Sequence, residues 1–222
     1  RLYDGCGGCV SIVDVAPECD GAEAFIKEVQ PYCPVSTAHT AAGYDQAVQA
    51  IEWGVRHTTH LYNAMPPFSH RAPGVIGAAF DAGATVELIC DGMHIHPSAV
   101  RCAMQLFEGR LALISDSLRC AGMPDGDYEL GGLPIKLGGG VARLLDGTLA
   151  GSSINVGEAV RRAVKFGVPL ERAIAAATSV PARAARLADC GELAPGKRAD
   201  VVVLDADLNV KMVFVGGEKV VG

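Results

Sequence analysis

Five short β-rich runs recur along the first half of the chain: Cys9 to Val15, Val35 to His39, His57 to Asn63, Thr85 to Asp91 and Leu111 to Ser115. Each ends in polar residues. Between them, apolar positions fall at helical spacing over Ala22 to Val29, Tyr44 to Trp53, Gly74 to Phe80 and Pro97 to Phe107. The last of these opens on a proline, whose fixed φ suits a first helical turn. Strand and helix alternating through short links predict right-handed crossovers and a parallel sheet. Strands covered on both faces should be almost continuously apolar, as Leu111-Ala112-Leu113-Ile114 is.

The texture changes after Ser115. Gly131-Gly132, Gly138-Gly139-Gly140 and Asp146-Gly147 separate short apolar runs between Asp127 and Ala150, a pattern that predicts antiparallel hairpins. Three Ala-rich amphipathic stretches follow, Gly157 to Phe166, Leu170 to Ala177 and Pro181 to Leu187, with Gly167 and Pro181 as stop and start signals. Strands return at Ala199 to Leu204 and Lys211 to Val215, and the pattern ends at Gly216-Gly217.

Composition narrows the class. Half of the 222 residues are apolar, enough for a sizeable core. Nineteen Lys and Arg against 25 Asp and Glu give a net charge of −6, so no sequence-wide basic field invites nucleic acid or anionic lipid. No apolar run approaches the roughly 20 residues of a membrane span, and Arg1-Leu2-Tyr3-Asp4 opens no apolar signal segment. A soluble, cytoplasmic protein is the expectation. Eight cysteines are too few for a disulfide scaffold. Cys6-Gly7-Gly8-Cys9 has the spacing of half a zinc site or a redox pair, but no second close pair follows, and a Gly-rich turn is the simpler expectation. Arg1 in place of an initiator Met suggests that the numbering starts inside a longer protein.

In parallel α/β folds, reactive groups gather where strands end, because the scaffold fixes the strands while the following loops vary. The strand ends here supply Glu18, His39, His60 with Asn63, Asp91 with His94, and Asp116. Neutral imidazoles suit transition metals, and a catalytic site needs about three protein ligands plus an open position. His39 and His60 provide two. His57, an odd number of residues before His60, points to the opposite face and reads as structural or helix-facing. His70, in a Pro-rich loop, reads as surface. His94 and His96 have a spacing that would chelate on a strand, but Asp91-Gly92 and Pro97 frame them as loop. Asp116 is the best general acid/base, with a turn cap as the plainer alternative. Arg71 could clamp a phosphate or carboxylate, or simply lie solvated.

At Thr59-His60-Leu61-Tyr62-Asn63-Ala64-Met65-Pro66 the chain resembles the N-acetylglucosamine-6-phosphate deacetylases, members of the metal-dependent amidohydrolase superfamily. Val35 to Thr40, Asp91-Gly92-Met93-His94, Ile114 to Ser117, Gly147 to Ser153, Ala177-Thr178 with Pro181-Ala182, and Gly191 to Asp200 follow in that family's order and spacing. The last string is shared across the superfamily, whereas the His60 to Pro66 string is specific to the deacetylases.

The resemblance implies an α/β protein: the last five strands of a (β/α)8 TIM-type barrel over residues 1–188, and strands of a small β-sandwich over 189–222 that would pair with a segment before residue 1. It implies hydrolysis of N-acetylglucosamine 6-phosphate to glucosamine 6-phosphate and acetate. His39 and His60 match two ligands of a catalytic divalent metal, zinc first and iron second. Asp116 matches the acid/base. Asn63, Ala64 and Arg71 match substrate contacts that include the phosphate, with Arg71 reaching across a homodimer interface. Asp91, Gly92, Met93 and His94, with Leu149, Ala150 and Gly151, match the remaining sugar-binding segments. The family's third ligand, a Glu on the third barrel strand, has no counterpart here. Glu18 follows what looks like the fourth strand and is not that ligand. Another amidohydrolase, a cyclic-amide hydrolase or deaminase, is the rival reading; an inactive sugar-phosphate-binding fragment is the other.

Overall fold

A computed structural model describes residues 5–222; residues 1–4, on which the reading of the chain's start rests, lie outside them. Five strands, β1 (Val13–Val15), β2 (Val35–Thr37), β3 (His57–Thr58), β4 (Thr85–Ile89) and β5 (Leu111–Ile114), form one sheet in sequence order. Every neighbouring pair is parallel. The connecting helices are α1 (Ala22–Val29), α2 (Tyr44–Trp53), α3 (Gly74–Asp81) and α4 (Pro97–Leu106). This is the predicted alternation.

The two faces of this sheet differ in chemistry. Val86, Leu88, Leu111 and Leu113 share one buried cluster with Val100, Ala103 and Met104 of α4, so their face is the one the helices cover. Residues in parallel register face the same side. Asp14, Ser36, His57 and Thr85 pair in one line across β1 to β4 on the opposite face, and Glu87 follows Thr85 by two. That face is polar and hydrogen-bonded. The Asp14 carboxylate accepts from the Thr59 hydroxyl at 2.8 Å, Thr59 bonds Ser36 at 2.7 Å, and the His57 ring lies 2.5 Å from the Thr85 hydroxyl and 2.9 Å from a Glu87 oxygen. His57 is therefore structural, as expected, but it faces away from the helices rather than toward them.

The strands are shorter than their patterns. β2 stops at Thr37 and β3 at Thr58, because His39 (φ 45°), His60 (φ 32°), Tyr62 (φ 76°) and Ala64 (φ 48°) leave extended geometry. Cys6 to Cys9 forms the Gly-rich turn, with the Cys9 N–H donating to the Cys6 carbonyl at 3.4 Å.

A second, antiparallel sheet of β6 (Gly126–Leu130), β7 (Leu133–Gly138), β8 (Val141–Leu144) and β9 (Leu149–Gly151) carries its own small core of Cys120, Ile135, Leu137 and Ala142. Helices α5 (Val156–Lys165), α6 (Leu170–Ala177) and α7 (Ser179–Ala184) follow. The Asn155 side chain accepts from the Glu158 N–H at 2.8 Å and so starts α5 one residue before the predicted Gly157. Pro181 lies in the first turn of α7, where its missing N–H costs nothing.

The last sheet holds β10 (Val201–Leu204), β11 (Val210–Val215) and β12 (Glu218–Val221). β12 goes beyond the sequence pattern. Gly216 and Gly217, at φ 57° and 87°, make a two-residue hairpin turn rather than an ending. Val202, Met212 and Val220 are exposed on this sheet. Among the described residues, no helix is long and apolar enough to cross a membrane.

Candidate active site

His39, His60 and Asp116 stand just past the carboxyl ends of β2, β3 and β5. All three adopt left-handed backbone, Asp116 at φ 45°. Non-glycine residues reach this region at a cost of about 1–3 kcal/mol and persist there only when the surroundings fix them. Those surroundings are visible. The Thr40 N–H donates to the Ala64 carbonyl at 3.0 Å, locking the loop that carries His39 to the loop that carries His60. Asn63 folds back on the second loop, its amide donating to the His60 and Leu61 carbonyls. The Leu61 N–H donates to the Glu87 carbonyl and continues the ladder one step beyond β3.

The rings of His39 and His60 meet edge to face, with centroids 4.7 Å apart. His39 is exposed, His60 is buried, and His60 Nδ1 is buried with no hydrogen-bond partner. An orphaned buried ring nitrogen beside a second imidazole is a donor set in want of an acceptor, and it fits two of the ligands of a divalent metal. Among the described residues, no three His, Cys, Asp or Glu side chains converge on one metal position. Glu18 is committed elsewhere: its carboxylate accepts from the Thr40 hydroxyl at 2.5 Å and the Ala41 N–H at 2.6 Å. Partial burial pushes this carboxyl up, but the two hydrogen bonds outweigh that and hold it below its ordinary value.

Asp116 is exposed, and its backbone is held by Ser152, immediately after β9. The Ser152 N–H donates to the Asp116 carbonyl at 2.9 Å, the Leu118 N–H donates back to Ser152, and the Ser152 hydroxyl donates to the Ser115 carbonyl. Gly151 makes the close approach possible. At φ 152°, a Cβ there would lie 2.8 Å from Leu118. Ser152 lies in the Gly147 to Ser153 string, but its hold on the Asp116 backbone is a long-range contact that the string does not announce.

The Asp91 to His94 turn forms a third cluster. Asp91 is buried; one carboxylate oxygen accepts from the Met93 N–H at 2.8 Å and the His94 N–H at 2.9 Å, and the other lies 2.6 Å from His94 Nδ1. Burial alone would raise this carboxyl, yet the His94 ring and the two N–H groups together bring it below its ordinary value. From α5, Arg162 donates to the Asp91 carbonyl and, through Nε, to Glu158 at 3.0 Å. Neither Arg162 nor Glu158 was singled out by sequence, since both sit in an ordinary amphipathic helix. His94 and His96 do not act as a pair: His96 Nδ1 accepts from the Ser98 N–H at the start of α4. Arg71 and His70 are exposed in the Ser69–Ala72 turn.

Residues 26–220 match the pattern of the amidohydrolase family. N-acetylgalactosamine-6-phosphate deacetylase of Escherichia coli O157:H7 is 40% identical over 211 residues, which are 93% of this chain and 56% of that protein. The putative N-acetylgalactosamine-6-phosphate deacetylase of Escherichia coli K12 is 43% identical over 162 residues, which are 72% of this chain and 97% of that protein. The structure of an N-acetyl-D-glucosamine-6-phosphate deacetylase mutant from Mycobacterium smegmatis, in complex with N-acetyl-D-glucosamine-6-phosphate, superposes with a TM-score of 0.95 at 42% identity. It spans all of this chain and 60% of that one. The chain thus spans little more than half the length of the first of these relatives and nearly all of the short second one. With the match running from α1 through β12, the chain belongs to the amidohydrolase family.

Proposed function

We propose that this chain is part of an enzyme that hydrolyses N-acetylglucosamine 6-phosphate to glucosamine 6-phosphate and acetate. The observation that carries the reading is the trio His39, His60 and Asp116 at three strand ends, each in left-handed backbone, with a buried ring nitrogen of His60 left unpaired. The five-stranded sheet is read as the last five strands of a (β/α)8 barrel over residues 1–188, and β10 to β12 as the closing strands of a β-sandwich over 189–222.

His39 and His60 would hold a divalent metal, zinc or iron, with the third ligand, a Glu, outside this chain. When bound, that metal supplies Lewis-acid polarisation of the acetyl carbonyl and of water. Asp116 removes a proton from the attacking water as the new C–O bond forms, then returns it to the amine nitrogen as the C–N bond breaks. Water thus adds across the amide, giving free amine and acetate. Asn63 and Ala64 line the substrate at the end of β3. Arg71, exposed on its turn, clamps the phosphate by its planar fork across a homodimer interface. Met93 and His94, with Gly92 and the 149–151 segment, border the sugar. The buried thiols Cys33, Cys90 and Cys120 suit a reducing cytoplasm.

The test is acetate release from N-acetylglucosamine 6-phosphate and from its galacto epimer by the purified, metal-loaded whole protein of which this chain is part, alongside Asp116→Asn. We expect turnover of the gluco substrate and a loss of about 10²–10⁴-fold in kcat for the variant. Absence of acetate from both substrates, or full activity in Asp116→Asn, would refute the proposal. Turnover of the galacto epimer alone would move the substrate and leave the chemistry standing.

A further inference from the structure

We infer that Asp91 is a positioning residue that sets the tautomer and orientation of His94, so that the ring presents Nε2 to the bound sugar. The inference rests on the deacetylase reading for the ligand that His94 meets; the tautomer itself does not depend on it. Sequence resemblance places Asp91 among substrate contacts, and its carboxylate already accepts three hydrogen bonds within its own turn. One carboxylate oxygen takes both the Met93 and His94 N–H groups, and the other faces His94 Nδ1 at 2.6 Å. The side chains of Asp91 and His94 are 6% and 8% exposed, so the pair sits in a weakly screened site.

The donor and acceptor roles follow from chemistry. An ionised carboxylate only accepts, so Nδ1 must carry the proton it shares with Asp91, and Nε2 is the ring atom left for a ligand. The hydrogen bonds that hold the Asp91 carboxyl below its ordinary value keep it in that ionised form. The peptide is held as well. Arg162 of α5 donates to the Asp91 carbonyl, and Glu158 fixes Arg162 while also binding Arg161 at 2.7 Å. Arg161 in turn donates to the Leu208 carbonyl at 3.1 Å, in the turn between β10 and β11. The strand end that carries Asp91 and His94 is thereby tied through one helix to the last sheet.

Asp91→Asn is the discriminating change. Its carbonyl oxygen can keep both N–H bonds, but its NH2 group would face Nδ1 and require a lone pair there, moving the ring proton to Nε2. Nitrogen-15 NMR of the imidazoles, in the purified protein under mildly alkaline conditions, reads this directly. The expected result is Nδ1–H for His94 in the wild type and Nε2–H in Asp91→Asn, with kcat/KM lowered by roughly 100-fold. Metal content and thermal stability should stay near wild type. An Nε2–H tautomer in the wild type overturns the inference even where the variant fails to fold. So does an Asp91→Asn protein with unchanged kcat/KM. A wild type that releases no acetate refutes the deacetylase reading instead, and the NMR result then still decides the tautomer.

Discussion

Two buried histidines three residues apart do different work. His57, in β3, is 1% exposed and has partners for both ring nitrogens, Thr85 and Glu87, on a polar sheet face shared with Ser36 and Asp14. His60, just past the end of the same strand, is 6% exposed, sits at φ 32° and leaves Nδ1 without a partner. The first is a satisfied structural group. The second carries an unpaired polar atom and unfavourable backbone, both of which lower stability. Residues that lower stability without a structural return mark where a fold has been held for chemistry. The contrast between a satisfied and an unsatisfied ring is one of geometry, which residue type alone cannot show.

The sharpest way to break the contrast is to replace each ring in turn. His60→Asn, chosen because Asn tolerates left-handed backbone, should lose bound metal and lower kcat on the order of 10³-fold, while unfolding free energy stays within about 1 kcal/mol of wild type. Metal analysis and chemical denaturation would show both. A retained metal would return His60 to the structural class. His57→Ala should do the reverse. Removing it strips Glu87 and Thr85 of a partner and opens a cavity, for a loss of about 3 kcal/mol by denaturation. Metal content per folded molecule should be unchanged.

A smaller effect sharpens the comparison from the neighbouring loop. The Glu18 carboxyl is held below its ordinary value through Thr40 and Ala41, immediately after His39. A carboxyl with a depressed folded-state value stabilises above its unfolded value, near 4.5, and that contribution disappears as pH falls through the folded value. The gap in melting temperature between wild type and Glu18→Gln should therefore be small at neutral pH and close on acidification below 4.5. A gap that widens with acid would mean that Glu18 is not the anchor of this loop.

How much of this the chain announces varies by element. The helices at Ala22–Val29 and Tyr44–Trp53 carry full apolar stripes, and their bounds follow from periodicity. Strand ends are different. The run from His57 to Asn63 reads as one strand, since nothing in residue type says that His60, Tyr62 and Ala64 take positive φ. Non-glycine residues adopt that backbone only when distant groups hold them, here Thr40 against Ala64 and Leu61 against Glu87. The third tail strand was hidden for a related reason: a Gly-Gly pair serves as a hairpin turn or a chain ending with equal ease, and pairing with β11 selects the hairpin.

The alternation of strand and helix, the order of the polar strand ends and the family are all legible along the chain, because periodicity and short motifs are local properties. Tertiary structure alone decided that His57 faces Glu87 while His60 keeps an unpaired nitrogen, and that Asp91 spends its carboxylate on His94. Arg162, 71 residues away, steadies the same turn. Hydrogen-bond satisfaction is a sum over groups brought together from distant parts of the chain, and no local pattern records that sum.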